Sequence, residues 1–206
     1  MSRLAIFILF PFSIFFLSSC ASLVDFARGD EELSFLRGEQ TVDVKFDYSD
    51  MAVGSYSSEE DYVEKKVKEK NEDEPGSGDQ WRKEWKGNRE SKFEPEFLEL
   101  LNEYGKDDKK LDFDKNNDDA NYLMIVETTF TEPGFNVGVA RRDAEIDLKI
   151  RFVEKGNPEN VLTKLSIQDV PGRSSMGYDF ATGTRLTEAY AKAGKELGKY
   201  IASKDF

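Results

Sequence analysis

The sequence predicts an α+β fold, a two-layer sandwich in which helices pack on one face of a mostly antiparallel sheet. Segments with a two-residue period and segments with a helical period occupy separate stretches, in the order strand, helix, helix, strand, strand, strand, helix. Segregated strands and helices are typical of α+β domains, whereas regular alternation indicates a parallel sheet. Residues 41–206 are long enough to bury a core, and we expect a single α+β domain there.

Four segments predict the strands of this sheet. Thr41–Tyr48 and Ala144–Phe152 alternate apolar with polar or charged side chains, which is typical of strands that are buried on one face. Tyr122–Phe130 begins with a continuous apolar run, which predicts a central strand. The turn Gly156-Asn157-Pro158 leads into a partner strand over Val161–Gln168.

The first three helices are predicted from residues that are typical of helix ends. Ser57 with Glu60 three residues later is a capping-box pattern. Asp79 is expected to cap the second helix after a turn-rich break. Glu94-Pro95 suits the start of the third, since proline fits the first helical position, and Gly105 is a natural stop.

The last helix is predicted over about Thr184–Ser203 and contains small residues at Ala193, Gly194 and Gly198. Glycine inside a helix costs about 0.5–1 kcal/mol relative to alanine, which suggests a packing reason for it. We expect this helix to dock on the face of the strand Ala144–Phe152, with its small residues bringing the two backbones together. The alternative is that both glycines face solvent.

A stripe of aromatic residues falls on the middle helices, at Trp81, Trp85, Phe93 and Phe97. Residues four apart share one helical face. We interpret the stripe as core, and the alternative is a platform on which a ligand stacks. Exposure decides between the two, because a platform has to line an open cleft.

The polar segment Lys106–Asn121 is predicted to be a loop and resembles the start of a calcium loop at Asp112–Asp118. An EF-hand needs Gly at its sixth position and Glu at its twelfth. Those positions hold Asn117 and Leu123 here, so we expect a solvated acidic loop without a metal.

No catalytic machinery is evident, and the chain contains no His. The loop Gly172–Gly177 therefore has no histidine to activate Ser174 or Ser175, and we interpret it as a connection in which Arg173 and Tyr178 could contact a partner. A glycosidase would need two acids facing each other in a pocket. We expect a protein that is not an enzyme and has no cofactor.

The chain opens with Met1-Ser2-Arg3 and an apolar run over residues 4–17, which is typical of a secretory signal and short for a membrane span. The run ends in Leu17-Ser18-Ser19-Cys20. This sequence resembles the lipobox of bacterial lipoproteins. The resemblance implies cleavage after residue 19 and lipidation of Cys20 with acyl chains such as palmitate. Residues 20–40 would then be the lipidated N-terminus and tether; the alternative is an uncleaved anchor.

Sorting and charge bear on location. Ala21, where Asp would retain a lipoprotein at the inner membrane, favours the outer membrane, and the late first acid, Asp25, favours its periplasmic face. Cleavage removes Arg3 and no acid, so the net charge falls from −12 to −13. Such a chain repels nucleic acid, and we expect the lipid bilayer, through acylated Cys20, to be a partner.

The stretch from Tyr122 to Ile201 resembles envelope lipoproteins of unknown function that share a fold with the N-terminal domain of TolB-type proteins and with curli-secretion lipoproteins. The resemblance lies in the strand Tyr122–Thr131, the hairpin Asp143–Gln168 and the helix that starts at Leu186. It implies a non-enzymatic envelope role and adds no site residues. We expect an interaction module with an envelope protein partner; the alternative is a small-ligand or glycan-binding lipoprotein.

Overall fold

The computed structural model describes residues 25–27, 33–105, 110–137, 140–173 and 181–206, the first of these ranges by its backbone alone. The signal segment 1–19 and Cys20 lie outside the described residues, as do Ser174, Ser175 and Tyr178. None of the helices within these ranges has the length and apolar composition that crossing a bilayer requires.

A seven-stranded sheet forms one layer and confirms the predicted α+β class. The strands within the described ranges are β1 Asp25–Ala27, β2 Thr41–Asp47, β3 Ala52–Val53, β4 Asp112–Asp114, β5 Tyr122–Glu132, β6 Phe135–Asn136, β7 Arg141–Arg142, β8 Ala144–Glu154 and β9 Asn157–Gly172. The order across the sheet is β1-β9-β8-β5-β2-β4, with β3 beside β5, while β6 and β7 form a separate hairpin. The pairs β1–β9, β9–β8 and β8–β5 are antiparallel. Strand β2 pairs in parallel with both β5 and β4, and β3 pairs in parallel with β5.

One strand lies where a loop is predicted. The segment Lys106–Asn121 contains β4, whose Phe113 is buried and pairs in register with Val42. The Asn102 side chain accepts from the Phe113 amide and donates to the Phe113 carbonyl, both at 2.8 Å. A strand of three residues shows no period in sequence, because its apolar content is a single side chain.

The helices form the second layer. They are α1 Glu59–Asp73, α2 Ser77–Asn88, α3 Glu94–Gly105 and α4 Thr182–Ala202. The predicted cap of α1 is wrong by one residue, since the Ser58 hydroxyl accepts from the Asp61 amide at 3.2 Å. The predicted cap of α2 at Asp79 is also wrong. That helix begins after Gly76, whose φ is 89°.

Helix α3 begins at Glu94 and ends at Gly105 as predicted, but no loop separates it from α2. A π-helical turn, Arg89–Phe93, joins the two, and the Glu94 amide donates to the Arg89 carbonyl five residues back. The wider turn lies directly before Pro95, which has no amide hydrogen to continue the regular pattern.

Helix α4 approaches α3 more closely than it approaches the sheet. A Cβ added at Gly194 would lie 2.1 Å from the Phe97 carbonyl oxygen, and one at Gly198 would lie 2.7 Å from that of Leu101. The predicted role of the small residues is therefore wrong in its partner: they admit a helix backbone and not a strand. The helix still covers the sheet, where the Tyr190 and Thr128 hydroxyls are 2.7 Å apart.

The core lies between the two layers. On β8 the residues that face the helices are almost completely buried: Ala144, Ile146, Leu148, Ile150 and Phe152. The residues between them on β8 are charged, and among these Lys149 is exposed on the other face. Leu33 and Leu36 are buried in the same core, so part of the segment 20–40 packs on the domain.

Candidate functional site

A groove of about 530 Å³ opens between α1, the end of β5 and the hairpin β6–β7. Four of its lining residues are aromatic: Tyr56, Tyr62, Phe130 and Phe135. Its charged lining residues are Lys66, Glu132 and Arg142. Aromatic walls with a few charged groups are typical of binding sites, because they combine apolar contact with orientation.

The hairpin side of the groove is held in place by polar contacts. The Gly134 amide donates to Glu132 Oε1 at 3.0 Å, and Arg142 Nη1 is 3.1 Å from Glu132 Oε2. Gly134 has a φ of 60°, and a Cβ there would lie 2.5 Å from the Arg142 carbonyl oxygen. Only glycine fits this turn without displacing the hairpin.

Arg185 of α4 fastens the same turn from the core side. Its side chain is buried and donates to the Pro133 carbonyl and the Gly134 carbonyl, each at 3.1 Å. A buried cation needs such partners, because an unpaired charge in the interior is costly. The position of the groove wall is therefore coupled to the packing of α4.

The helix side of the groove is an aromatic cluster. Tyr62 contacts Tyr56 with 5.8 Å between ring centroids, and it contacts Trp85 at 5.3 Å. Burial raises the pKa of Tyr62 to about 12, so its hydroxyl is protonated at neutral pH and can donate a hydrogen bond. Trp81 stacks on Trp85 at 5.5 Å, behind Tyr62.

The aromatic stripe predicted from the sequence supports the groove without lining it. Trp85 is buried and donates from Nε1 to Glu59, Phe93 stacks on Tyr190, and Phe97 packs edge-on against Phe46. The interpretation of the stripe as core holds for these residues. The groove residues Tyr56, Phe130 and Phe135 were not predicted, although the dipeptide Pro133-Gly134 is a turn signal.

A buried carboxylate lies on the other side of the tryptophans. Glu59 accepts from Trp85 Nε1 at 2.6 Å, from Lys86 Nζ and from Arg89. The Arg89 guanidinium also lies 4.2 Å from the ring centroid of Tyr48. All of these partners are side chains of the protein, and together they join the start of α1 to α2, the π-helical turn and the residue that follows β2.

The calcium-like segment is organised around a lysine. Lys155 Nζ lies 2.9 Å from Asp43 Oδ2 and donates to the Asn117 carbonyl. Asp112 and Asp118 are exposed, and Asp118 Oδ1 lies 3.8 Å from Lys155 Nζ. Across the described ranges there is no group of three or more His, Cys, Asp or Glu side chains that could hold a metal ion.

Of the residues in the predicted connecting loop, the structure describes Arg173. Arg173 is exposed at the end of β9, and its carbonyl accepts from Lys192 Nζ at 3.3 Å. Ser174, Ser175 and Tyr178 lie outside the described residues. Cys20 does too, and the first described strand begins at Asp25.

No protein-family model matches the chain, and no curated protein matches its sequence. Two solved structures align with it. One is a PelC dodecamer from Paraburkholderia phytofirmans, 14% identical over 84% of this chain and 95% of that chain, with a TM-score of 0.36. The other is a protein from Xanthomonas campestris of family model DUF330, 11% identical over 76% of this chain and 81% of that chain, with a TM-score of 0.32. At these TM-scores the two likenesses carry no argument about function.

Proposed function

We propose that the chain is an acyl-anchored lipoprotein of the cell envelope, held at the periplasmic face of the outer membrane through Cys20, and that its domain is a non-catalytic interaction module. The observation that carries the proposal is the juxtaposition of the box Leu17-Ser18-Ser19-Cys20 with a first strand, Asp25–Ala27, that pairs with the sheet. Two or three acyl chains on one residue would anchor a domain stably, since each buried methylene contributes about 0.8 kcal/mol.

The charged residues of the core have their partners within the fold, which supports a structural role for them. Glu59 binds Trp85 and two cations, Glu94 accepts from Tyr48 Oη at 3.3 Å and from Lys115, and Arg185 binds backbone carbonyls. Each of these contacts joins separate elements of the fold. Such groups stabilise the domain through their pairing, and the open groove remains the surface that is suited to a partner.

The groove would accept a peptide segment that carries an apolar side chain and a carboxylate. Its four aromatic rings offer apolar contact, and its lining has two cations, Lys66 and Arg142, against one carboxylate, Glu132, which is paired with Arg142. Complementary charge at a rim mainly sets the rate of association and the choice of partner.

We expect Cys20→Ser to leave an unprocessed or soluble precursor that carries no acyl chain, because serine has no thiol to receive the diacylglycerol. The measurement is metabolic labelling with an acyl-chain analogue, followed by fractionation of soluble and membrane proteins. Ser19→Ala, which keeps a small residue in the box, is the control and should label normally. Equal labelling of Cys20→Ser and the natural protein would rule out the lipid anchor.

We expect a photo-crosslinking side chain at Ser55, an exposed residue that lines the groove, to give a discrete protein adduct in intact envelopes. Lys66→Glu should reduce that adduct by about tenfold, because it reverses a charge on the groove wall. Lys68→Glu is the matched control, since it makes the same change on an exposed part of the same helix. Equal adduct yields in the two variants would refute partner binding in the groove.

A second candidate function is glycan or small-ligand binding, which the four aromatic rings of the groove favour, because sugar rings stack on aromatic faces. It is separated from the first by titrating the purified protein with cell-wall oligosaccharides. Glycan binding would be favoured by two results together. The natural protein would bind the oligosaccharide saturably and Tyr56→Ala would not, and the crosslinking side chain at Ser55 would give no protein adduct.

A further inference from the structure

The register of the first strand fixes the direction from which the N-terminus arrives. Strand β1 is antiparallel to β9, with Asp25 opposite Gln168 and Ala27 opposite Ser166. The N-terminal end of β1, at Asp25, is therefore the end that lies nearer to Gly172 of β9. Gly172 pairs in turn with Ala144, the residue at the start of β8.

The hairpin β6–β7 lies at this same end of the sheet. Only one residue separates Arg142 at the end of β7 from Ala144 at the start of β8. Neighbouring strands are about 4.8 Å apart and each residue rises about 3.4 Å, so the base of the hairpin lies about 10 Å across the sheet from Asp25 and about 14 Å farther along the strands. Four residues separate Cys20 from Asp25, and an extended chain of this length reaches at most about 18 Å. A lipid on Cys20 would thus hold the hairpin end next to the bilayer.

The hairpin carries an unusual surface for a part of the domain that faces water. Phe135 is 44% exposed and Val137 is 68% exposed, and within the described ranges they are the exposed large apolar side chains. The Val137 amide donates to the Ala140 carbonyl at 3.0 Å, which joins the two sides of the hairpin beyond β6 and β7. Exposed apolar groups that are gathered in one place mark an interaction site.

The charges beside these groups do not call for an anionic surface. Arg141 Nε is 2.9 Å from Asp143 Oδ1, and Arg142 is paired with Glu132. At the opposite end of the sheet, the first residues of β9, Asn157–Asn160, are exposed and mostly polar. The domain therefore has an apolar tip at the end where the anchor enters and a polar turn at the far end.

We propose that the hairpin β6–β7 is a second membrane contact, in which Val137 and the exposed part of Phe135 enter the headgroup layer beside the acylated Cys20. The proposal rests on the proposed lipid anchor and adds a fixed orientation to it. The contact is apolar, so it forms on zwitterionic lipid. It keeps the groove between the hairpin and α1 close to the membrane surface, where the groove would meet membrane-proximal parts of a partner.

The test uses the full lipidated protein in vesicles of phosphatidylcholine. Cys20 is the sole cysteine of the chain and its thiol is acylated, so a cysteine introduced by Val137→Cys takes a fluorescent label at one position. Glu159→Cys, an exposed position at the far end of the sheet, is the matched control. Acyl chains that carry a quencher should reduce the emission of the label at position 137 at least twofold and leave position 159 unchanged.

The possible outcomes separate the hairpin contact from the anchor. Equal water exposure of both labels on protein that floats with the vesicles would overturn the hairpin contact and leave the lipid anchor standing. Shielding of position 137 in native envelopes, but not in pure lipid, would assign the tip to a protein partner and overturn the proposal. Protein that does not float with the vesicles would overturn the anchor, and the hairpin contact with it.

Discussion

Gly194→Ala is expected to lower the free energy of unfolding by about 3 kcal/mol, although it adds a single methyl group. The Cβ would lie 2.1 Å from the carbonyl oxygen of Phe97 and 2.9 Å from its carbonyl carbon. Both atoms belong to the backbone of α3, so no side chain can rotate away. The two helices have to separate, and buried residues between them lose contacts. Overpacking costs about 1–3 kcal/mol and occasionally more, and a backbone clash falls at the upper end.

Gly87→Ala provides the matched control for this effect. Gly87 is also inside a helix, but a Cβ there meets no atom within 4 Å. Alanine should therefore raise the free energy of unfolding by about 0.5–1 kcal/mol, which is the propensity difference alone. The measurement is denaturant unfolding of a chain that lacks residues 1–20. If Gly194→Ala were as stable as the natural chain, the close contact between α3 and α4 would be wrong.

Gly194 and Gly198 also show how much of the packing could be predicted from the sequence. Small residues four apart predict a close approach on one face of α4, and the structure has one. The partner was predicted to be the strand Ala144–Phe152, whereas the backbone of α3 lies nearest to Gly194 and Gly198. The small residues on a helix face predict that a neighbouring element packs closely against it. They do not predict whether that element is a sheet or another helix, because this depends on the arrangement of distant segments.

Short strands were missed for a related reason. The long strands β5 and β8 have 11 residues each, and both were predicted: β8 from its two-residue period and β5 from the continuous apolar run at its start. β3 and β4 have two and three residues, and they pair in parallel with β5 and β2. Parallel partners are brought together by connections far away in sequence, so no local pattern predicts them.

The groove could not be predicted from the sequence, because its walls come from separate stretches of the chain. Tyr62 of α1 packs on Trp85. Its other side faces the groove only because the turn at Gly134 folds the hairpin over it. Residue spacing predicts which face of a helix or strand is buried. A groove forms only where two such faces do not pack completely against each other.

Glu59→Gln is expected to lower the free energy of unfolding by about 3 kcal/mol. The side chain is 8% exposed and interacts with both Lys86 and Arg89, while Trp85 donates to it. Glutamine preserves the shape and the acceptor for Trp85, but it removes the charge. It would leave the half-buried guanidinium of Arg89 without its carboxylate. Removing one partner of a buried ion pair costs about 3–5 kcal/mol, and the partial exposure of Lys86 favours the lower figure.

The loss should depend on pH in a direction that the contacts of Glu59 determine. Burial by itself raises the pKa of Glu59, but hydrogen bonds from Lys86 and Arg89 and the charge of Arg89 outweigh it, so the pKa lies below its ordinary value of 4.5. A carboxylate whose pKa is lowered by folding stabilises the protein above its unfolded pKa. That stabilisation disappears as the pH falls through the lower folded pKa.

Unfolding free energies measured from neutral pH downward would therefore differ between the natural chain and Glu59→Gln by a constant amount until the pH reaches 4.5. Below that pH the difference should shrink, because protonated Glu59 and glutamine are both neutral. Glu60→Gln is the control: its side chain is exposed in the same first turn, and its effect should stay within about 0.5 kcal/mol. A difference for Glu59→Gln that grew with acidity would mean that the carboxyl is already protonated in the folded protein, and that its contacts with Lys86 and Arg89 do not stabilise a charge.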